Sequence, residues 1–159
     1  MLSSRNSRRV LCVLVAVFAA MLPTRAFAEL GGDVKSVERD RVKMKAALTV
    51  KPTERYTIHE MTSNTGSTVR EFATPDGKIF AVAWQGPFHP DYQQLLGPYF
   101  AQLQQATEQS AQQRHARRAP VMIETQGFVF QSFGHFRALA GRAYLAQMVP
   151  SGVSLEEIR

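Results

Sequence analysis

The chain of 159 residues holds a single cysteine, Cys12, and that residue lies in a segment read below as a removable leader. Once the leader is gone no thiol remains. This excludes a disulfide, a cysteine nucleophile and a cysteine-ligated metal in the product. Long apolar runs are equally scarce. The longest, Val10 to Leu22, has 13 residues, fewer than the about 20 that a membrane-crossing helix needs. No Gly-x-Ser-x-Gly elbow, no glycine-rich loop ending in Lys-Ser/Thr and no His-x-x-x-His pair occurs. Each would have marked a familiar chemistry: acyl transfer, phosphate binding or paired-histidine metal ligation. No cofactor is therefore expected, and the sequence assigns no catalytic residue.

What stands at the start of the chain is an export pattern. Arg5, Arg8 and Arg9 form a positive beginning, the apolar run follows, Pro23 interrupts it, and Ala26-Phe27-Ala28 offers small residues at the two positions a signal peptidase reads. The reading is a signal peptide over 1–28, cleaved after Ala28, with a periplasmic or secreted product starting at Glu29. Ser7-Arg8-Arg9 faintly resembles a twin-arginine signal, although an ordinary positive start accounts for it.

Removing the leader changes the charge. Of the 19 Lys and Arg residues, Arg5, Arg8, Arg9 and Arg25 precede position 29, whereas all 13 acidic residues follow it. The remainder is close to balanced. That argues against nucleic acid as a partner, because nucleic-acid binding calls for a concentrated basic face. Residues 29–159 are expected to form one domain, long enough to bury a core by packing alone, with no membrane span.

Along that domain, Ser36 to Lys45 reads as either a short helix or an edge segment. Tyr56 to Met61, Thr68 to Ala73 and Ile79 to Trp84 predict a three-stranded meander, joined by turns at Asn64–Gly66 and Pro75-Asp76-Gly77. The third strand is apolar on both faces, as in a central strand covered on two sides. Pro90 and Asp91 open a short helix over 90–96, with Pro90 at its first position. Gly97-Pro98 precedes a second helix over 98–113, whose apolar face carries Phe100, Leu103 and Ala106 and whose other side is rich in glutamine. Phe128 to Phe133 predicts a strand. Residues 136–145 fit either its antiparallel partner or a helix. Ser154 and Glu157 have capping-box spacing. The expectation is an α+β fold: a small, mostly antiparallel sheet of a meander and two further strands, with a helix packed on one face.

Side chains able to carry chemistry are few. His59, His89, Asp91 and His135 make a metal-dependent or hydrolytic centre conceivable only if they converge. Ser132, His135 and Asp91 offer a triad with no sequence signature behind it. Glu60 and Glu71 lie in adjacent strands, where pairing with Arg55 or Arg70 is the ordinary expectation. Trp84, Phe88, Tyr92 and Tyr99 form an aromatic run that either binds a ligand or closes one end of the core. Arg114 to Arg118 either offsets a helix dipole or binds an anionic surface.

Several short motifs in order resemble one family. They are Ala28-Glu-Leu-Gly-Gly, Tyr56-Thr-Ile-His-Glu60, Val69-Arg-Glu-Phe, Phe80 to Pro87, Pro90-Asp91, Leu95 to Phe100, Gly134-His-Phe-Arg137, Gly141 to Leu145 and Pro150-Ser-Gly-Val153. The resemblance is to domain of unknown function 2844, a family of exported proteobacterial proteins, and it covers nearly all of 29–159. It implies export and a single domain, and it brings no activity. The motif residues are the binding candidates: His59, Glu60, Trp84, Asp91, His135, Arg137, Arg142 and Tyr144. Together these readings favour an exported, non-enzymatic binding or accessory module working with an envelope protein. The alternatives are a small envelope hydrolase or metal-dependent enzyme, or an anionic-surface binder.

Overall fold

The computed structural model of the protein describes residues 29–113 and 121–159; the expected leader and the Arg114–Arg118 cluster lie outside them. Seven strands form one antiparallel sheet: β1 (Ala47–Pro52), β2 (Thr57–Thr62), β3 (Thr68–Ala73), β4 (Ile79–Gly86), β5 (Val121–Thr125), β6 (Phe128–His135) and β7 (Ala138–Leu145). Their order is β1-β2-β3-β4-β7-β6-β5. Among the described residues three α-helices accompany the sheet: α1 (Val37–Met44), α2 (Tyr92–Leu96) and α3 (Tyr99–Gln113).

The α+β class and the β2–β3–β4 meander agree with the sequence reading, but the sheet is larger than expected. β1 and β5 are the two strands the sequence did not announce. Both are edges, paired on one side only. β1 is exposed at five of its six positions and ends in Pro52, which an edge strand tolerates. A strand that buries so little shows no apolar alternation to read. The two open segments resolve as helix for Val37–Met44 and as strand for Ala138–Leu145, hairpin partner of β6.

β4 is the central strand. Residues Ile79 to Trp84 are all buried. Phe72 pairs with Ala81 while Ala73 pairs with Ile79, so Phe80 is an extra residue in the ladder. This bulge sends Ile79, Val82 and Trp84 into one core and Phe80, Ala81 and Ala83 into the other. Gly77, at φ +80°, closes the preceding turn, and its N–H donates to the Thr74 carbonyl at 2.9 Å.

The first core lies under the helices, where Leu30, Leu95, Leu96 and Leu103 meet Val82, Phe128 and Phe130. The second lies under the 146–159 segment, where fully buried Ile158 packs with Phe72, Phe80 and Tyr144. That segment ends in a single 3-10 turn over Leu155–Glu157, and the capping box of Ser154 and Glu157 is formed as the spacing suggested.

One helix start is corrected. Asp91, not Pro90, is the boundary residue of α2. Its side chain takes the backbone N–H of Gln94 at 3.0 Å, so Pro90 is left just outside the helix.

Candidate functional site

The sheet scatters the histidines. His59 lies on β2, between Val50 and Glu71 of its neighbours, and burial lowers its pKa. His135 ends β6, four strands away in the sheet, a lateral separation of roughly 19 Å at ordinary strand spacing. Its Nδ1 lies 3.2 Å from the Phe136 carbonyl. Asp91 caps α2 and meets Lys43 Nζ at 3.3 Å. Among the described residues no group of three His, Cys, Asp or Glu side chains is arranged to hold a metal ion. Asp91 is thus engaged away from Ser132 and His135, and the three make no triad.

Several other candidates hold the fold together. Glu60 receives Lys51 Nζ at 2.8 Å and Arg70 Nε at 2.6 Å, and these two bonds lower its pKa. Arg142 donates to Gln131 Oε1 at 2.8 Å and to the carbonyls of Leu155 and Ile158, and its guanidinium lies over the ring of Tyr144. Arg70 donates to the Arg159 carbonyl, and Arg55 to that of Gly152. These residues fasten the 146–159 segment across the sheet. Arg137 sits in the β6–β7 turn at φ +64°, over the exposed ring of Phe136.

Glu71 does not follow Glu60. The two face opposite sides of β2 and β3, because Glu60 is opposite Arg70 whereas Glu71 is opposite His59. Glu71 points under α1, where its carboxyl group stands beside that of Asp40, which accepts from Gln94 Nε2. Asp40 is 3% exposed and Glu71 is 2% exposed. The expected Arg partner is absent because those guanidinia lie on the other face. Nothing in the charged run around Asp40 signals its burial.

One place has the character of a binding site. A groove of about 390 Å³ opens between α3 and the β5–β6 hairpin. Its walls are Phe100, Leu103, Val121 and Phe130, with Gln104, Thr107 and Glu108 of α3 along the rim, and its polar floor is His89, Tyr92 and Ser132. Size and lining both match ordinary ligand pockets, which are apolar with a few placed polar groups. A second cavity of equal volume lies on the opposite face, but its Lys51, Glu60 and Arg70 are already paired with one another.

The groove floor is ordered by aromatic packing. The Tyr92 ring stands at 5.4 Å from Phe130, and Trp84 stands at 5.2 Å from Tyr92. Trp84 lies flat over Gly141, where a Cβ would come within 2.3 Å of its ring. The Tyr92 hydroxyl is 2.6 Å from His89 Nδ1, with Ser132 and the Trp84 indole beside it. Burial raises the Tyr92 pKa, and its contacts with Ser132 and Trp84 partly oppose that rise. Among the described residues the buried Trp84 N–H meets no acceptor in good hydrogen-bond geometry, the Tyr92 hydroxyl beside it included.

Trp84 and Tyr92 were legible as an aromatic run, and both serve as core and site at once. His89 and Ser132 were singled out for chemistries with other partners. Their meeting through Tyr92 depends on α2 docking over β6, which no local spacing signals.

The order and content of these elements match a family model over residues 26–158, that of the protein of unknown function DUF2844. The chain belongs to this family. Its model spans every element described, from Leu30 under the helices to buried Ile158. No curated protein and no solved structure matches the chain.

Proposed function

We propose that this member of the DUF2844 family is an exported, non-enzymatic binding module whose ligand site is the groove between α3 and the β5–β6 hairpin. The observation that carries the reading is the combination of apolar walls with a small polar floor at Tyr92, Ser132 and His89. Catalysis is not what this floor is built for. His89 bonds a phenol rather than a serine or a carboxylate, and Ser132 lies beside the same phenol rather than beside a base. Export rests on the amino-terminal pattern of Arg5, Arg8 and Arg9, the apolar run and Ala26-Phe27-Ala28.

Native mass spectrometry of protein recovered from the periplasm tests both halves. A polypeptide beginning at Glu29 with added small-molecule mass is expected, and Val121→Trp, which fills the groove from the edge strand, removes that mass. A chain still beginning at Met1 overturns export. Bare polypeptide, or added mass that persists in the Val121 variant, overturns the groove as the ligand site.

A further inference from the structure

Exposed aromatic rings gather at one end of the sheet. Among the described residues three phenylalanines are half or more exposed: Phe88 at 62%, Phe133 at 50% and Phe136 at 83%. Gly86 at the end of β4 pairs with Leu139 of β7, and Leu139 pairs in turn with Gly134 of β6. The three rings therefore stand where β4 finishes and β6 turns into β7. That turn projects: every residue from Phe133 to Ala138 is exposed. Arg137 within it takes φ +64°, a backbone that an arginine adopts at a cost. Its guanidinium lies 5.3 Å from the centre of the Phe136 ring.

The cation of this turn has no counter-ion in the chain. All 13 acidic residues lie among the described ones, and Arg137 forms an ion pair with none of them. From Gln109 to Leu155 the chain has five arginines and a single acid, Glu124, which lies opposite Val129, away from the turn. Toward this end Asp91 meets Lys43, and Glu108 stands on the groove rim, on the helix side of the sheet. Residues 114–120, outside the described set, read Arg-His-Ala-Arg-Arg-Ala-Pro. They offer neither a carboxylate to Arg137 nor a large apolar side chain to cover Phe136.

We propose that the β6–β7 turn of the product beginning at Glu29 docks on an anionic lipid surface, with Phe133 and Phe136 entering at the level of the headgroups and Arg137 meeting their phosphates. Shape and charge complementarity both favour this occupant. A stable protein interface covers about 800 Å² on each partner, more than a narrow turn of six exposed residues presents. A lipid surface needs only a few aromatic rings and a neighbouring cation. The cation over the ring suits this place, because the ring enters the interface while the guanidinium stays wet.

Vesicles of phosphatidylglycerol and of phosphatidylcholine are the probes, with binding measured by co-sedimentation of protein recovered from the periplasm. Binding to phosphatidylglycerol is expected, weakened by added salt, with little to phosphatidylcholine. Phe136→Ser is expected to weaken it about tenfold through lost apolar burial. Arg137→Asn is expected to weaken it about fivefold through one lost charge, since asparagine accepts the positive φ. Both side chains are exposed, so the melting temperature stays unchanged. Phe136→Trp is expected to keep the binding, with emission that moves to the blue on phosphatidylglycerol vesicles. No binding to phosphatidylglycerol, or equal binding by the Phe136→Ser variant, overturns the proposal. Equal affinity for the two lipids overturns the anionic assignment. Loss of binding when Arg114, Arg117 and Arg118 are all changed to Gln, while Phe136→Ser binds as before, places the surface outside the turn and overturns it too.

Discussion

The carboxyl group of Asp40 on α1 stands beside that of Glu71 on β3, and both are closed off from water. Two carboxylates cannot ionise side by side in such a place, so the pair holds a proton. Burial is the main cause for each. It raises Glu71 well above its ordinary range, with the charge of Asp40 adding to the effect, and lifts Asp40 to about 6 against the pull of Gln94, Lys43 and Arg39.

A pH dependence of stability follows from the pair. Both groups bind protons more tightly folded than unfolded, so their favourable contribution is complete below the unfolded pKa and is lost as pH rises. For Asp40 the loss runs from its ordinary 3.8 to about 6, and Glu71 extends it to higher pH. Stability is expected to be lower at pH 8 than at pH 5 by an amount on the order of 2 kcal/mol, with thermal unfolding at a correspondingly lower temperature. Glu71→Gln, which imitates the protonated acid, should flatten this profile and stabilise the protein at pH 8. A profile equally steep in the variant would place the titration elsewhere.

Arg142 is expected to act on stability rather than on ligand binding. Arg142→Met keeps much of the apolar stem and removes the donors to Gln131, Leu155 and Ile158. The expected loss is about 1–3 kcal/mol, with faster amide exchange concentrated in 150–159. Uniform exchange across the sheet would contradict the fastening role.

Gly141 is expected to admit no side chain. A Cβ there would stand 2.3 Å from Trp84 and 2.5 Å from the Gln131 carbonyl, and overpacking of this kind costs about 1–3 kcal/mol or more. Gly141→Ala should therefore lower the melting temperature and shift Trp84 fluorescence as the indole is displaced. An unchanged emission spectrum would mean that the indole does not rest on Gly141.

Asp91→Ala is expected to cost about 1 kcal/mol through loss of the α2 cap, measured by urea denaturation. Its contact with Lys43 is exposed, and such pairs contribute little. Retention of the bound small-molecule mass in this variant would separate Asp91 from the groove, whereas its loss would draw α2 capping into the site.

Much of the scaffold was legible because its signals are local. Asn64–Gly66 and Pro75–Gly77 mark their turns by backbone preference, β4 announces burial on both faces by its composition, and Ser154 and Glu157 announce a cap by spacing. The same local character explains the misses. β1 and β5 pair on one side and bury little, so their residues carry no strong alternation. Asp40 stands among Glu38, Arg39 and Arg41 and reads as solvated. Glu60 and Glu71 look alike in sequence, and only the register opposite Arg70 and His59 parts them.

The sequence by itself determined the strands of the meander, the two helices after Pro90 and the capping box of Ser154 and Glu157, since each depends on residues a few positions apart. It also carried the family, through short motifs in a set order. Only the tertiary structure decided that β7 enters between β4 and β6, that Asp40 meets Glu71, and that His89, Tyr92, Ser132 and Trp84 share one floor. Those pairings are long-range: Asp40 and Glu71 are 31 positions apart in the chain, Tyr92 and Ser132 are 40, and Ala81 of β4 and its partner Tyr144 of β7 are 63. They arise from how separate apolar faces cover one another, a choice that no local pattern records.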